Sequence, residues 1–454
     1  MRVTWVQPED LIGHELRQSR EEERDVDAVE ARWLRAGGAP APGRGASQEA
    51  VAPALRILAL ELLDELDAMP RPLAAEEPDD FDEILAQADP APARAAVDVR
   101  ERIAGAWLGR AAGCVLGKPV ENIPREGIRA LAEATGNWPV AGWFTAEGLP
   151  KEISARWPWN RASRLTSLAE TIDGIPEDDD LNFTMLGVAL LERCGTGFDA
   201  LDVAKTWLDY LPPGRIFTAE RVAVRNLLEA YLPPETATRR NPFREWIGAR
   251  LRVDAYGWAA AGNPVAAARM AWADARVSHT ANGVYAAMFM AAAHAVSMSE
   301  ASSAACVEAG LAVVPARSRL AEALRTARDL AGGRGSRDDV CWEAVVDELY
   351  ARYGSYHWVH AINNTALVAA ALYAFDGDFS GGISAVVQGG WDTDTNGAAV
   401  GSILGATLGR GGVDERWVAP LGGRFASSLP GFDGIEIDEL VRRTVAIAAT
   451  PVAA

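Results

Sequence analysis

Two stretches of this chain carry glycine at every fourth position. "GAWLGRAAGCVLG" places Gly105, Gly109, Gly113 and Gly117 in that register, and "GAAVGSILGATLG" does the same with Gly397, Gly401, Gly405 and Gly409. The intervening Ala, Leu and Val suit helices, and residues four apart share one helical face. Each interior glycine costs a helix about 1 kcal/mol relative to alanine. Packing has to offset that loss, and a glycine stripe allows it by letting a second helix come close. Neither apolar segment reaches the ~18–20 residues of a bilayer crossing, so the membrane form of G-x-x-x-G does not apply. The two segments are expected to form the centre of a helical bundle.

The rest of the chain agrees. From about Arg100 onward Ala and Leu dominate and alternating β-branched runs are scarce. "NPVAAARMAWADARVSH", "VYAAMFMAAAHAVSM", "RLAEALRTARDLA" and "HAINNTALVAAALYAF" each fit a helix of ten or more residues. The fold class is all-α, a compact multi-helix bundle. Residues 1–98 differ and read as an N-terminal appendage of helices and loops ahead of a main domain at 99–454. Within the appendage, "LRAGGAPAPGRGASQEAVAPA" reads as a linker or mobile loop. "ALRILALELLDELDAM" sets Leu55, Leu58, Leu62, Leu66 and Met69 on one helical stripe, and the acidic, proline-broken stretch after it is expected at the surface.

Charge narrows the function. With 44 basic and 63 acidic residues the net charge is -19, which disfavours nucleic acid and anionic lipid and suits a protein that gathers cations. Cys114, Cys194, Cys306 and Cys341 form no C-x-x-C and do not cluster with histidine, which argues against a zinc site or a disulfide framework. The N-terminus is charged throughout and lacks a signal-peptide pattern. A cytoplasmic protein with no membrane association is expected.

Two acidic clusters precede helical patterns. One is Glu177, Asp178, Asp179 and Asp180 in "IPEDDDLNFTML"; the other is Asp392 and Asp394, with Thr393 and Thr395, in "GGWDTDTNGAAVG". One or two carboxylates at a helix start are accounted for by capping and the helix dipole. Three adjacent aspartates exceed that need, and at ~4 Å each pair repels by roughly 1 kcal/mol in water, more where water is excluded. A solvated acidic turn tolerates this, and so does a cation site. "DTDTNG" matches positions 1, 3, 5 and 6 of a calcium loop, but position 12 is Ile403 rather than a bidentate Glu, so an EF-hand does not fit. Asp392, Asp394 and Thr395 instead offer three oxygens at one helix start, with Asp178, Asp179 and Asp180 as the comparable supply elsewhere. Together they would make an all-oxygen site for one or two hard cations, Mg²⁺ or Mn²⁺ before Ca²⁺.

Three motifs in order resemble the ADP-ribosylglycohydrolase family. "GAWLGRAAGCVLGKPVE" is similar to its opening glycine-rich motif ending in Glu, "EDDDLNFTML" to T-D-D-T-x-M-T, and "GGWDTDTNGAAVGSILGA" to G-G-D-T-D-T-x-A-A-x-x-G-A-x-x-G. The resemblance spans roughly residues 100–450. It implies a compact all-α bundle with a dinuclear Mg²⁺ or Mn²⁺ site that hydrolyses the glycosidic bond at C1″ of an ADP-ribosyl group on a protein or small molecule. Carried over by position, the metal ligands would be Asp178, Asp179, Asp180, Asp392, Asp394 and Thr395. Glu121 would position the attacking water, with Glu121 or a metal-bound aspartate (Asp179, Asp392) as base. The chain departs from the family at Asp178, where Thr or Ser is usual, at Cys114 in place of Asp, at Leu181 in place of Thr, and at Trp391 inside the last motif.

His279 matches a family position near the ADP-ribose. His279, Asn282, His360 and Trp391 are the expected substrate contacts, although each also reads as an ordinary buried residue. Cys114 reads as a small core residue, and "TRRNPFREW" as a solvated basic face. Two further readings stand beside hydrolysis. One is a non-catalytic ADP-ribose-binding or regulatory protein on the same fold. The other is an all-α terpenoid or prenyl enzyme, which expects an N-D-x-x-S-x-x-x-E set that this chain lacks.

Overall fold

The computed structural model describes residues 2–43, 45–332 and 341–452. The two glycine-striped segments are helices, Val99–Gly117 and Thr393–Leu408, and they lie against each other. Gly105 faces Gly405, Gly109 faces Gly401 and Gly113 faces Gly397, so the pair runs antiparallel. A Cβ added at any of these six positions would come within 3.0 Å of the facing backbone, a distance that real Cβ atoms essentially never show. The helix cost of the glycines is thus offset by a backbone-to-backbone seam. The seam also fixes an end: Thr393 Oγ1 donates to the Gly117 carbonyl at 2.8 Å, which sets the start of the second helix beside the finish of the first.

Helices surround this pair. Ala281–Ser297 is buried along its whole length, and Ala361–Ala374 along nearly all of it. Pro264–Ala275 and Arg319–Ala331 complete the four stretches expected to be helical. Among the described residues the strands are two short ones, Arg424–Phe425 and Ile435–Glu436, paired antiparallel. The fold is all-α.

The N-terminal residues build a second apolar cluster. Leu11, Leu16 and Trp33 pack there with Leu62 and Leu66 of the helix Pro53–Asp67, and Ala219, Val222, Phe243 and Trp246 join from the main body. The Gly/Ala/Pro-rich stretch after residue 35 is seated on the fold. Trp33 Nε1 donates to the Ala39 carbonyl, Trp5 N to the Gly45 carbonyl, and Ser47 Oγ to Asp10. The basic stretch expected as a solvated face is partly interior: Arg244 is buried between Glu15 and Glu22, because those carboxylates from the first helix, Pro8–Glu21, and the turn after it supply its counter-charge.

Candidate metal centre

The middle acidic cluster begins the helix Asp179–Cys194. Asp178 is its N-cap and accepts from Asp180 N at 2.9 Å. The later cluster begins Thr393–Leu408, with Asp392 in the capping position. Thr393 through Ile403 is continuous helix, so the calcium-loop geometry is excluded in space as it was by count. Asp392 N donates to Asn364 Oδ1 at 3.1 Å, and the same oxygen accepts from Asn396 Nδ2 at 2.7 Å. One buried amide therefore sets both the entry and the first turn of that helix.

The glycine seam brings the two helix starts together with the turn Lys118–Val120 and Glu121 that follow Gly117. Glu121, Asp392 and Asp394 each offer a carboxylate oxygen, all within 4.8 Å of one another, and Cys114, Asp178 and Asp180 form a second group by the same measure. Both groups meet at a cavity of about 480 Å³. Glu121, Asp178, Asp179, Asp180, Asp392, Asp394 and Thr395 line it. Trp5, Phe217, Trp246 and Trp358 add an aromatic lining.

Burial raises the pKa of Glu121, Asp179, Asp180 and Asp392, and neighbouring carboxylates push each the same way. Asp394 is raised too, by burial and then by Asp178. Asp178 moves down, because Lys118 outweighs its burial. The charges behind the cluster are fixed. Arg110 donates to the Asp180 carbonyl at 2.7 Å and to Asp254 Oδ1 at 2.9 Å, and Ser402 and His294 also meet Asp254. Arg250 reaches Asn396 Oδ1 at 2.6 Å, and burial brings it down to about 10 against the pull of Asp392 and Asp180.

One atom tests whether a cation fits. Asp180 Oδ2 accepts from Thr395 Oγ1, and Asp180 Oδ1 is buried with no hydrogen bond, the Arg110 guanidinium standing 3.6 Å away. A buried carboxylate oxygen costs free energy unless positive charge meets it, and Arg110 offsets part of that cost here. Hard oxygens, mutual repulsion and this unbonded acceptor suit a divalent cation.

The other expected residues lie elsewhere. His279 Nδ1 pairs with Ser278 Oγ at 2.8 Å, and its Nε2 is 4.0 Å from Glu220, which does line the cavity. Asn282 donates to Glu245 at 3.0 Å and accepts from Leu320 N. His360 caps Ala361–Ala374 through Nδ1. Trp391 stacks on Tyr350 with ring centroids 4.3 Å apart. None of the four is among the residues lining the cavity. Lys118, Asn160, Trp5 and Trp246 do line it, and the sequence reading passed them over. Lys118 and Asn160 carried no signal beyond their types, and the two tryptophans lie outside the three motifs.

An all-α bundle whose buried carboxylates converge from two helix starts defines a protein with a candidate hard-cation centre. A model of the ADP-ribosylglycohydrolase family matches residues 95–451, and the chain belongs to that family. Hydrolysis of ADP-ribosyl linkages is the family's general activity, and divalent metal its general requirement. Among solved structures, an "ADP-ribosylglycohydrolase-related protein complex" aligns with 22% identity and a TM-score of 0.44, over 77% of this chain and 98% of that one. No curated protein matches.

Proposed function

We propose that the chain hydrolyses the glycosidic bond at C1″ of an ADP-ribosyl, or related ribosyl, adduct on a protein or small molecule, releasing ADP-ribose. The observation that carries this reading is the convergence of Glu121, Asp392 and Asp394 with Asp178, Asp179, Asp180 and Thr395 on one cavity. Oxygens drawn from this set would hold Mg²⁺ or Mn²⁺. A bound divalent cation supplies positive charge that orients sugar hydroxyls and makes a water acidic.

The chain's own groups do the rest. Glu121 is half-buried at the cavity edge and takes a hydrogen bond from Asn160 Nδ2 at 2.7 Å, which aims its carboxyl. Burial, with Asp394 and Asp178 adding to it, raises its pKa, so it takes up a proton more readily than a free carboxylate, as a general base must. Asp179 and Asp392 would face the positive charge that builds on the anomeric carbon as the leaving group departs. Trp246 and Trp358 offer flat apolar surface for a planar ring. All four cysteines are free, in keeping with a cytoplasmic setting, and no helix among the described residues is long and apolar enough to cross a membrane.

The test is release of ADP-ribose from an adduct by the Mg²⁺-loaded protein and its Asp392→Ala variant. Wild-type turnover and a loss on the order of a hundredfold or more in the variant are expected. A variant that turns over as the wild type does would overturn the reading. ADP-ribose binding with no release from any adduct would move the chain to the non-catalytic alternative.

A further inference from the structure

One departure from the family pattern meets a buried lysine. Asp178 stands where the family has a hydroxyl, and the Lys118 ammonium lies on its Oδ2. Lys118 Nζ also donates to the Glu177 carbonyl at 3.2 Å. The lysine is not a flexible surface arm reaching in. It is buried, and it belongs to the short turn that the Gly117–Thr393 contact ties to the start of the second acidic helix. A second departure lies alongside: Cys114, in the place of the usual aspartate, is fully buried within the Asp178 and Asp180 group. Sulfur is a poor donor for a hard cation. The Cys114, Asp178 and Asp180 group thus presents one carboxylate already matched by an ammonium, one sulfur, and Asp180 with the Arg110 guanidinium 3.6 Å away. The Glu121, Asp392 and Asp394 group carries three carboxylates with no ion pair among the described residues, and Lys118 and Arg250 act on it only from further off.

We propose that the Lys118 ammonium is a built-in counter-ion that fills the Asp178 side of the cavity, so that this chain binds one divalent cation, at Glu121, Asp392 and Asp394, rather than the pair that the family resemblance implies. The inference rests on the metal reading of the site given above. A fixed positive charge on Asp178 repels a second cation there. It also leaves the ammonium beside the bound ion's carboxylates, where it can donate to an oxygen of the sugar or of the leaving group. Lys118 is a positioning residue in this account.

Mn²⁺ binding to the full chain tests this, read as ions per chain by equilibrium dialysis and as the low-temperature EPR spectrum. The wild type is expected to bind one Mn²⁺ with a six-line, uncoupled signal, and Lys118→Met to bind two with a spin-coupled signal. Two ions in the wild type would overturn the single-ion inference and leave the proposed hydrolysis standing, whereas no ion in the wild type would overturn both. One ion in Lys118→Met would show that the lysine does not set the count. Asp178→Ser covers the case in which the methionine variant fails to fold. It is expected to keep one ion within about threefold of the wild-type affinity, and loss of that ion would make Asp178 a ligand and overturn the proposal.

Discussion

Thr395 Oγ1 donates to Asp180 Oδ2 at 3.0 Å, across 215 positions of sequence. This hydrogen bond joins the two acidic helix starts directly. It uses the one Asp180 oxygen that has a hydrogen-bond partner, so it fixes the direction of the oxygen that has none.

Removing that bond should loosen the centre without dismantling the fold. Thr395→Val keeps the side-chain volume and leaves both Asp180 oxygens without a hydrogen bond. The bond also holds the start of the helix that carries Asp392 and Asp394, and outer groups that orient metal ligands are typically worth ten- to a hundredfold in affinity, so the Mn²⁺ dissociation constant should rise by about that factor. Titration calorimetry measures it. An unchanged constant would mean that Asp180 is oriented by Arg110 alone.

The central seam makes a prediction opposite in sign to helix propensity. Gly401→Ala should help an isolated helix by about 1 kcal/mol. Here the new Cβ would press on the Gly109 carbonyl, and neither atom belongs to a side chain that could rotate away. Overpacking of this kind costs typically 1–3 kcal/mol, and backbone obstruction places it at the upper end. A net loss of about 1–2 kcal/mol in unfolding free energy is expected in a denaturant melt. A variant as stable as the wild type would mean that the two helices part easily.

The seam was legible in the sequence because glycine at i and i+4 has one physical use in a water-soluble helix, which is close approach. The acidic helix starts were legible because three adjacent aspartates exceed what capping needs. Other features depended on pairings across the chain. Nothing in "GKPVE" says that Lys118 ends on Asp178, because the turn that aims it is set by a Thr393 contact 276 positions away from Gly117. Trp5 could not be placed at the cavity from its neighbours, since its position depends on Phe243 and Trp246. His279 reads as a substrate contact from its match to a family position, and Asn282 from the helix start beside it. No motif foretells the buried charge that the structure sets against Asn282 and His360, which is Glu245.

Glu245 gathers that buried charge. It accepts from Gln18 at 2.9 Å, Asn282 at 3.0 Å and Arg319 at 2.8 Å, and so ties the first helix to the main body. Glu245→Ala leaves three donors short of an acceptor in a buried place, and breaking such a network costs about 3–5 kcal/mol. Glu245→Gln keeps one carbonyl acceptor and should lose less. Thermal melts should therefore rank wild type above Glu245→Gln and Glu245→Ala last. Equal melting of the two variants would show that shape rather than charge holds this junction.

His14 makes stability depend on pH. Its ring lies among Phe243, Trp246 and Trp5, with centroids 5.1, 5.7 and 5.9 Å away, and neither ring nitrogen has a hydrogen-bond partner among the described residues. Burial, with Arg17 adding to it, lowers its pKa from 6.5 to about 4. Between those values the unfolded chain binds the proton and the folded chain does not, so stability is full above pH 6.5 and falls as pH drops towards 4. His357, lowered to about 3 by burial and then by His14, acts in the same direction, while Asp67, raised to about 7 by burial and then by Glu15, acts in the opposite one. Comparison with His14→Phe cancels the Asp67 contribution, which is alike in both proteins, and reports His14 together with the part of the His357 shift that His14 causes. From pH 7 to pH 5 the wild type should lose about 2 kcal/mol relative to the variant. A difference that stays flat over that range would mean that His14 ionises freely in the fold. Trp5 and Trp246 also line the cavity, so the same protonation should loosen its aromatic lining first. Their fluorescence should respond to acid before the global unfolding signal does.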